Sequence, residues 1–240
     1  MQLPKAIFCW SGGKDSAYCL HKVLSEKLFD VKYLLTTISD EFKRVSMHGT
    51  REELLDIQTS EIKIPVLKVR VTAGTNDDYE KQMESVLLKA KLEVIENVIF
   101  GDIFLEDLRI YRENNLAKVG MKAVFPLWKI NTNELVKDFI HLKFKTVICC
   151  VNDGYLGEEW LGREIDEKFL NELPSNIDYC GENGEYHTFC FDGPIFKNKI
   201  NFLMGENIYK ALDIKYEGTC NSLNEIETKG FWFCDLLPNK

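Results

Sequence analysis

The sequence lacks the long apolar run that a membrane-spanning helix requires. Across its 240 residues, no window approaches the roughly 18 to 20 uninterrupted apolar side chains of such a helix. The first five residues also lack the basic head and apolar body of a signal peptide. We therefore expect a soluble protein that stays in the cytoplasm and has no membrane partner.

Metal-binding spacing is missing as well. None of the eight cysteines forms a Cys-x-x-Cys pair, and the four histidines do not complete a zinc-finger pattern. A disulfide scaffold suits shorter secreted chains, so reduced thiols are expected here. These absences argue against a structural zinc or iron-sulfur site.

Basic residues are scarce relative to acidic ones. The 30 Lys and Arg residues against 38 Asp and Glu residues give a net charge of −8 at neutral pH. Nonspecific affinity for nucleic acids comes mostly from Lys and Arg that neutralise phosphates, so no stable nucleic-acid partner is expected. With 45% hydrophobic and 12% aromatic residues, the chain can bury the core of one large or two small domains.

Strand and helix patterns alternate in the first half of the chain. This alternation predicts βαβ crossovers, and hence a parallel sheet with helices on both faces. The predicted strands lie at 6–10, 31–38, 66–71 and 98–100, and the predicted helices at 17–28, at 51–62 and from a cap at Asn76 or Asp77 onward, the last with Met83, Val86, Leu87, Ala90 and Val94 on one face.

The pattern becomes less regular after Pro126. Glycine, asparagine and aromatic residues interrupt the helical period from Pro174 onward. We predict a boundary near residue 130 between two parts that pack closely. The elements predicted after it are a helix at 133–142 and strands at 146–151, 186–191 and 231–233.

Three polar segments come directly after predicted strands: residues 11–16, the loop around His48, and Gly101-Asp102. Ligands of open parallel sheets bind at the carboxyl ends of the strands. We therefore expect these segments to converge on one crevice.

The segment at 11–16 reads SGGKDS and lies between a strand and a helix. Paired glycines let backbone N–H groups approach an oxyanion, and a helix N-terminus adds its positive dipole end. The spacing excludes both a Walker A loop and the dinucleotide fingerprint. The pattern predicts a phosphate cradle, and the alternative is a common glycine turn in which Asp15 or Ser16 merely caps a helix.

The segment at 178–188 reads DYCGENGEYHT and gathers carboxylates, an imidazole, an amide and two glycines. This composition suits a catalytic site. However, Asn183-Gly184 is also a strong turn signal, so a solvated surface hairpin is an equally good interpretation of these residues alone.

The hexapeptide at 11–16 resembles the pyrophosphate loop (PP-loop) of the adenine-nucleotide α-hydrolase-like ATP pyrophosphatases. ENGEYHT at 182–188, followed by DGP at 192–194, is similar to the signature of one branch, the diphthine-ammonia ligase family. The similarity spans about residues 5 to 195 in the same order as in the family. The other similar stretches are HG at 48–49, GDI at 101–103 with Arg109 and Glu113, PLW at 126–128 and WLGR at 160–163.

This resemblance implies an α/β fold in which a HUP-like (Rossmann-like) domain, residues 1–130, binds ATP. A smaller α+β domain, residues 131–240, would carry the Glu-Asn-Gly-Glu motif and bind the substrate. The implied reaction is the ATP-dependent amidation of the diphthine carboxylate on elongation factor 2. A substrate oxygen attacks the α-phosphate, usually with Mg²⁺ present, and AMP and pyrophosphate are released.

The resemblance also implies roles for particular residues. Carried over to this sequence, ATP contacts fall on Ser11, Gly12, Gly13, Lys14, Asp15, Ser16, His48 and Gly101, and catalytic roles on Lys14, Glu182, Glu185 and His187. We expect Glu185 to accept a proton, and Asp15 and Asp102 to hold Mg²⁺. Arg109, Asn183 and Gly184 are expected to bind the acceptor, with Arg112 and Arg163 as further cations, although Arg109 and Arg112 also suit surface ion pairs with Glu106 or Glu113.

Free ammonium is the expected nitrogen source. Residue 2 is Gln rather than the Cys of an N-terminal glutaminase, and a chain of this length that already holds two domains has no room for a separate glutaminase. The alternatives are a different carboxylate acceptor in a bacterial host, RNA thiolation by the same adenylation chemistry, and a protein that binds AMP or ATP without turnover. A homodimer is left open.

Overall fold

The computed structural model describes residues 2–71, 76–212 and 228–239, and only the backbone of residues 76–78. The strands of its first sheet are β1 (Lys5–Cys9), β2 (Asp30–Ser39), β3 (Arg44–Val45), β4 (Val66–Val71), β5 (Asn97–Ile99) and β6 (Lys122–Val124). This sheet is mainly parallel, in the order β4-β2-β1-β5-β6, with β3 pairing antiparallel to the end of β2. A first strand in the middle of a parallel sheet confirms the predicted α/β class.

Four helices connect these strands, and the crossovers match the predicted alternation. The predicted cap at Asn76 or Asp77 lies outside the described side chains. The expectation for Val94 is wrong, because the helix ends at Leu92 and Val94 is 70% exposed. No described helix is long and apolar enough to cross a membrane. The helices are α1 (Lys14–Ser25), α2 (Glu52–Ile62), α3 (Asn76–Leu92) and α4 (Glu106–Lys118).

The elements of the second half are α5 (Thr132–His141), β7 (Lys145–Asn152), a 3₁₀ turn (Glu158–Trp160), α6 (Glu167–Glu172), β8 (Tyr186–Asp192), β9 (Phe202–Ala211) and β10 (Gly230–Pro238). Its strands form an antiparallel sheet in the order β8-β7-β10-β9. This sheet includes the three predicted strands and adds β9, which the interrupted pattern did not indicate. The domain boundary near residue 130 stays a prediction.

Strand β1 separates two apolar clusters. Since successive side chains of a strand point to opposite faces, Phe8 packs with α1, α2, α5 and the second sheet, whereas Ile7 packs with α3 and α4. Both side chains are completely buried. Helices therefore cover both faces, as predicted, and the second sheet extends the core on the α1 side.

An ion cluster also connects the two sheets. The Asp235 carboxylate in β10 accepts hydrogen bonds from Arg44 at 2.8 Å and from Arg51 at 2.9 and 2.7 Å. The hydrogen bonds from Arg51 are the main cause that holds the pKa of Asp235 below its ordinary 3.8, and the charges and hydrogen bonds of Arg44 act in the same direction. A side chain of β10 therefore fixes β3 and the start of α2.

Replacing Asp235 with Asn should lower the free energy of unfolding by about 1–2 kcal/mol at pH 7. The substitution removes the charge attraction to Arg44 and Arg51, which solvent partly screens. Because folding depresses the pKa of Asp235, its contribution is complete above about pH 4 and disappears as the pH falls through the folded-state value. Urea denaturation between about pH 3 and 7 measures this. Asp40→Asn, at an exposed pair with Lys43, is the control and should have less effect; equal losses would contradict the assignment.

Candidate active site

A cavity of about 740 Å³ lies at the carboxyl ends of β1, β2 and β5. Its size is within the ordinary range for small-molecule sites. The cavity is lined by the three polar segments that follow these strands and by residues of the loop at 180–184 from the second half. The sheet topology thus brings together segments that are far apart in the sequence.

The glycine loop adopts a conformation that its sequence permits. Gly12 has a φ of +83°, and a Cβ there would lie 2.7 Å from Gln58 Oε1. Gly13 precedes α1 and offers no side-chain cap, and the acidic residue in the first turn of the helix is Asp15. Ser16 Oγ donates to Gly13 O at 2.9 Å, and Gly13 N donates to Ser11 Oγ at 3.3 Å.

Strand β8 provides the cap that the loop lacks. Lys14 N donates to Thr188 Oγ1 at 3.0 Å, and Cys190 N donates to Gly12 O at 2.8 Å. His48 Nδ1 lies 3.0 Å from Thr188 O. A carbonyl can only accept, so Nδ1 carries the proton and the neutral ring keeps its lone pair on Nε2.

Lys14 is a buried cation at the floor of the cavity, with 2% of its side chain exposed. Its Nζ lies 2.8 and 2.7 Å from the two carboxylate oxygens of Asp15, and it donates to the carbonyl of Cys180. Burial alone would lower the pKa of Lys14, but the neighbouring Asp15 carboxylate raises it above the ordinary value. Lys14 is therefore charged at neutral pH.

Gly101 lets β5 approach this loop closely. A Cβ at Gly101 would lie 3.3 Å from the carbonyl atoms of Asp15 and from Ser16 N. Any larger residue would push the end of β5 away from the start of α1. Gly101 thus lies beside the loop, and its contact with ATP stays a prediction.

Two further carboxylates border the cavity. Glu182 Oε1 accepts a hydrogen bond from Ile103 N at 2.8 Å. Burial, followed by repulsion from Asp15, raises the pKa of Glu182 to about 7. Asp102 pairs with Arg112, whose Nε lies 2.6 Å from Oδ2, and burial still leaves the pKa of Asp102 above its ordinary value.

Glu185 occupies a different position from Glu182. Its side chain is fully buried and does not line the cavity. Oε1 accepts hydrogen bonds from Asp178 N at 2.9 Å and Asn183 Nδ2 at 3.0 Å, and Oε2 has no hydrogen-bond partner among the described residues. These contacts hold the turn at 178–186 and place Glu182, not Glu185, next to the site.

The two histidines at the cavity form a pair. The ring centroids of His48 and His187 are 4.8 Å apart. Burial lowers the pKa of both groups, and burial together with His48 and Lys14 brings that of His187 to about 3. Both imidazoles are neutral at pH 7 and can accept a hydrogen bond.

Arg109 and Arg163 do not line the cavity. Arg109 Nε donates to Glu113 Oε1 at 2.8 Å, and its guanidinium lies 4.7 Å from the Trp128 ring. Arg163 pairs with Glu172 and stacks on Trp160. For Arg109 the helix-surface ion pair is thus the arrangement present, while Asn183 and Gly184 remain at the rim.

Sequence reasoning missed Gln58, a fully buried polar residue in contact with the glycine loop. A signal was available, because Gln58 lies in the same helical stripe as Leu54, Leu55 and Ile62, all of which face the core. A glutamine in an apolar stripe requires hydrogen-bond partners in the interior.

The carboxylates suit a hard cation such as Mg²⁺, which takes oxygen ligands and commonly binds through one or two carboxylates together with substrate phosphates. Asp15 and Asp102 provide such oxygens, and Asp102 Oδ2 is buried without a well-directed hydrogen bond among the described residues. Within the described residues no three His, Cys, Asp or Glu side chains form a metal-binding group. The donor set therefore fits an ion shared with a phosphate ligand.

Two family models and several named relatives match this chain. The family models of the diphthamide synthase N-terminal and C-terminal domains match residues 4–123 and 131–219. Human diphthine–ammonia ligase is 27% identical over 227 residues, 85% of this chain and 84% of the human protein. The Saccharomyces cerevisiae diphthine–ammonia ligase is 26% identical over 231 residues, 81% of this chain but 34% of the yeast protein. A solved U34-tRNA thiolase, NcsA from Methanococcus maripaludis, aligns with a TM-score of 0.35 at 18% identity, covering 60% of this chain and 59% of its own.

Two glycines with the same backbone angle provide a matched test of the loop. Gly12 and Gly184 both have a φ of +83°, but a Cβ at Gly184 would meet nothing within 4 Å. Gly184→Ala should therefore cost only the backbone strain, about 1–2 kcal/mol of unfolding free energy. Gly12→Ala should cost at least about 1 kcal/mol more, because the new methyl group displaces the Gln58 amide. Chemical denaturation measures both, and equal costs would contradict the packing described here.

Proposed function

The chain belongs to the diphthamide synthase family, and from this membership we propose that it is an ATP-dependent ligase that amidates the carboxylate of diphthine on elongation factor 2. The observation that carries the proposal is the glycine loop at 11–16. Its backbone and the N-terminus of α1 face a cavity that also holds a buried cation and a carboxylate with a pKa near neutrality. The names of the relatives supply the acceptor and the nitrogen donor.

In this mechanism the glycine loop binds the two outer phosphates of ATP. The N–H groups that follow Lys14 N in the first turn of α1, together with the dipole of that helix, favour an anion at this position. Lys14 adds a buried positive charge. A loop that stabilises the outer phosphates also stabilises them as departing pyrophosphate, which leaves the α-phosphorus open to attack.

The acceptor carboxylate then attacks the α-phosphorus. One carboxylate oxygen forms a bond to phosphorus as the bond to pyrophosphate breaks, and the product is an acyl adenylate. Ammonia attacks the acyl carbon in the second step, AMP departs with the original carboxylate oxygen, and the nitrogen loses its extra proton. Free ammonium is the proposed nitrogen source.

Glu182 is the better candidate for the group that takes this proton. It borders the cavity, and its pKa of about 7 suits a general base at physiological pH. Glu185 keeps the turn in place through Asp178 and Asn183. His187, neutral and at the cavity, is proposed to orient the acceptor or ammonia.

Asp15 and Asp102 are the residues proposed to hold Mg²⁺, which would supply positive charge to the phosphates. Binding would use oxygens that now face Lys14 and Arg112. We also propose that residues 1–130 form the ATP-binding domain and residues 131–240 the substrate domain. The position of Glu182, Asn183 and Gly184 at the rim of the cavity supports this division.

RNA thiolation is less well supported by the site. That chemistry needs a reactive thiolate, and Cys9 and Cys180 are the two cysteines among the residues that line the cavity. Burial raises the pKa of Cys9 to about 12 and also raises that of Cys180, so both thiols are protonated at neutral pH. The other alternative is a protein that binds AMP or ATP without turnover, and an analysis of the reaction products distinguishes it from a ligase.

The proposed reaction predicts particular products. With Mg-ATP, ammonium and diphthine-bearing elongation factor 2, the protein should produce AMP, pyrophosphate and a decrease of about one mass unit in the factor, as carboxylate becomes amide. Lys14→Ala and Ser16→Ala should each lower ATP turnover by about tenfold or more. The first change removes the buried cation proposed to face the phosphates, and the second removes the hydroxyl that holds the carbonyl of Gly13. Nucleotide chromatography and mass spectrometry measure these outcomes. Formation of ADP, or binding of ATP without turnover, would contradict the proposal.

The pKa of Glu182 predicts a pH profile. A general base works only when ionised, so the rate of amide formation at saturating ATP and acceptor should be lost as the pH falls through about 7. Assays should hold the concentration of free ammonia constant and below saturation, so that the amidation step limits the rate. Glu182→Gln should remove this limb and lower the rate by about 100-fold or more. Glu185→Gln, the control, should reduce stability but keep the limb; its loss in that variant instead would reassign the base.

A further inference from the structure

Gln58 lies where three parts of the fold meet. It is on α2, its side chain is fully buried, and its amide contacts both the glycine loop and strand β8. Nε2 donates to Gly12 O at 2.8 Å and to Cys190 O at 2.6 Å, and Oε1 accepts from Trp10 Nε1 at 3.1 Å. Both amide protons and the amide oxygen are therefore used.

The chemical need for such an amide follows from what the loop is proposed to bind. An anion is repelled by carbonyl oxygens and attracted by N–H groups, so a phosphate loop has to turn its carbonyls away from the ligand. Thr36 Oγ1 donates to Trp10 O at 2.6 Å, and Ser16 Oγ donates to Gly13 O at 2.9 Å. Gln58 and Cys190 N hold the carbonyl of Gly12 between these two.

Gln58 also limits how the loop can relax. At Gly12 the position of a Cβ would be only 2.7 Å from Gln58 Oε1, so the loop backbone lies directly against the amide. On its other side the same amide holds β8, the strand whose Thr188 caps Lys14 N. One side chain thus fixes the loop and the strand that completes it.

We propose that Gln58 is a positioning residue that keeps the glycine loop in its phosphate-binding form and couples it to β8. The inference rests on the proposed function, since it assumes that the loop binds the outer phosphates of ATP. Gln58 does not touch the nucleotide in this account. Replacing Gln58 should therefore weaken the binding of ligands whose phosphates reach the loop. It should not weaken the binding of a ligand that ends at the α-phosphate.

Isothermal titration of the full chain with ATP, pyrophosphate and AMP tests this. Gln58→Met keeps the length of the side chain but removes both donors and the acceptor. The dissociation constants for ATP and pyrophosphate should rise by about ten- to a hundredfold, whereas that for AMP should stay within about twofold. Equal weakening for all three ligands would mean general damage and would overturn the inference.

Thr146→Val is the matched control. Thr146 is fully buried and donates to Phe189 O at 3.0 Å, so this change also removes one buried hydrogen bond to β8, without touching the loop. The variant should lose stability but bind ATP and pyrophosphate as the wild type does. If Thr146→Val weakens the binding of pyrophosphate as much as Gln58→Met does, the specific role assigned to Gln58 is wrong.

Gln58→Glu gives a signature that a purely structural role would not produce. An ionised carboxylate would face the carbonyl oxygens of Gly12 and Cys190 without a proton to donate, whereas a protonated carboxyl group can donate to one of them. Pyrophosphate affinity relative to the wild type should therefore fall as the pH rises from about 6 to 8.5 in Gln58→Glu, while the ratio for Gln58→Met stays constant. Identical pH behaviour of the two variants would overturn the inference.

The two proposals fail in different ways. A wild-type protein that binds neither ATP nor pyrophosphate would overturn the proposed function, and the inference would fall with it. A wild type that binds both ligands, together with a folded Gln58→Met variant that binds them equally well, would overturn the inference alone.

Discussion

The site depends on the contact between strand β8 and the glycine loop. Thr188 caps the first N–H group of α1, and Cys190 N donates to the carbonyl of Gly12. Thr188 and Lys14 are 174 positions apart in the sequence. The loop has no side-chain cap of its own because Gly13 precedes the helix. A loop that is already held loses less conformational freedom when it binds an anion. The second half of the chain thus completes the proposed phosphate site that the first half begins.

Charge explains why this site is chemically poised. Lys14 stays protonated in the interior because Asp15 is its neighbour. Burial, and after it the same Asp15, raises the pKa of Glu182. One carboxylate therefore stabilises a buried cation and also prepares a second carboxylate for proton transfer. Asp102 is held by Arg112 at the other side. In the proposed reaction, a triphosphate in this cavity meets positive charge from the loop and Lys14, and Glu182, the proposed base, borders the same cavity.

Local patterns predicted the parallel sheet, its helices and the position of the glycine loop, because strand and helix periodicity depends on neighbouring residues. Contacts between distant residues were beyond such reasoning. The partners of Gln58 lie in β8 and the loop, and the burial of Glu185 follows from the turn at Asp178. The sequence analysis assigned proton acceptance to Glu185, because composition does not show which of the two glutamates borders the cavity. Arg109 pairs with Glu113 on the surface of α4, the alternative that i,i+4 spacing had already allowed.

The most direct test of the central claim follows one oxygen atom. The acceptor carboxylate would be labelled with ¹⁸O and the protein supplied with Mg-ATP and ammonium. If the loop holds the outer phosphates and leaves the α-phosphorus open, one labelled oxygen must leave with that phosphorus, so mass spectrometry should find ¹⁸O in AMP and none in pyrophosphate. Label in pyrophosphate or orthophosphate, with unlabelled AMP or ADP, would show attack on an outer phosphate and would contradict the account.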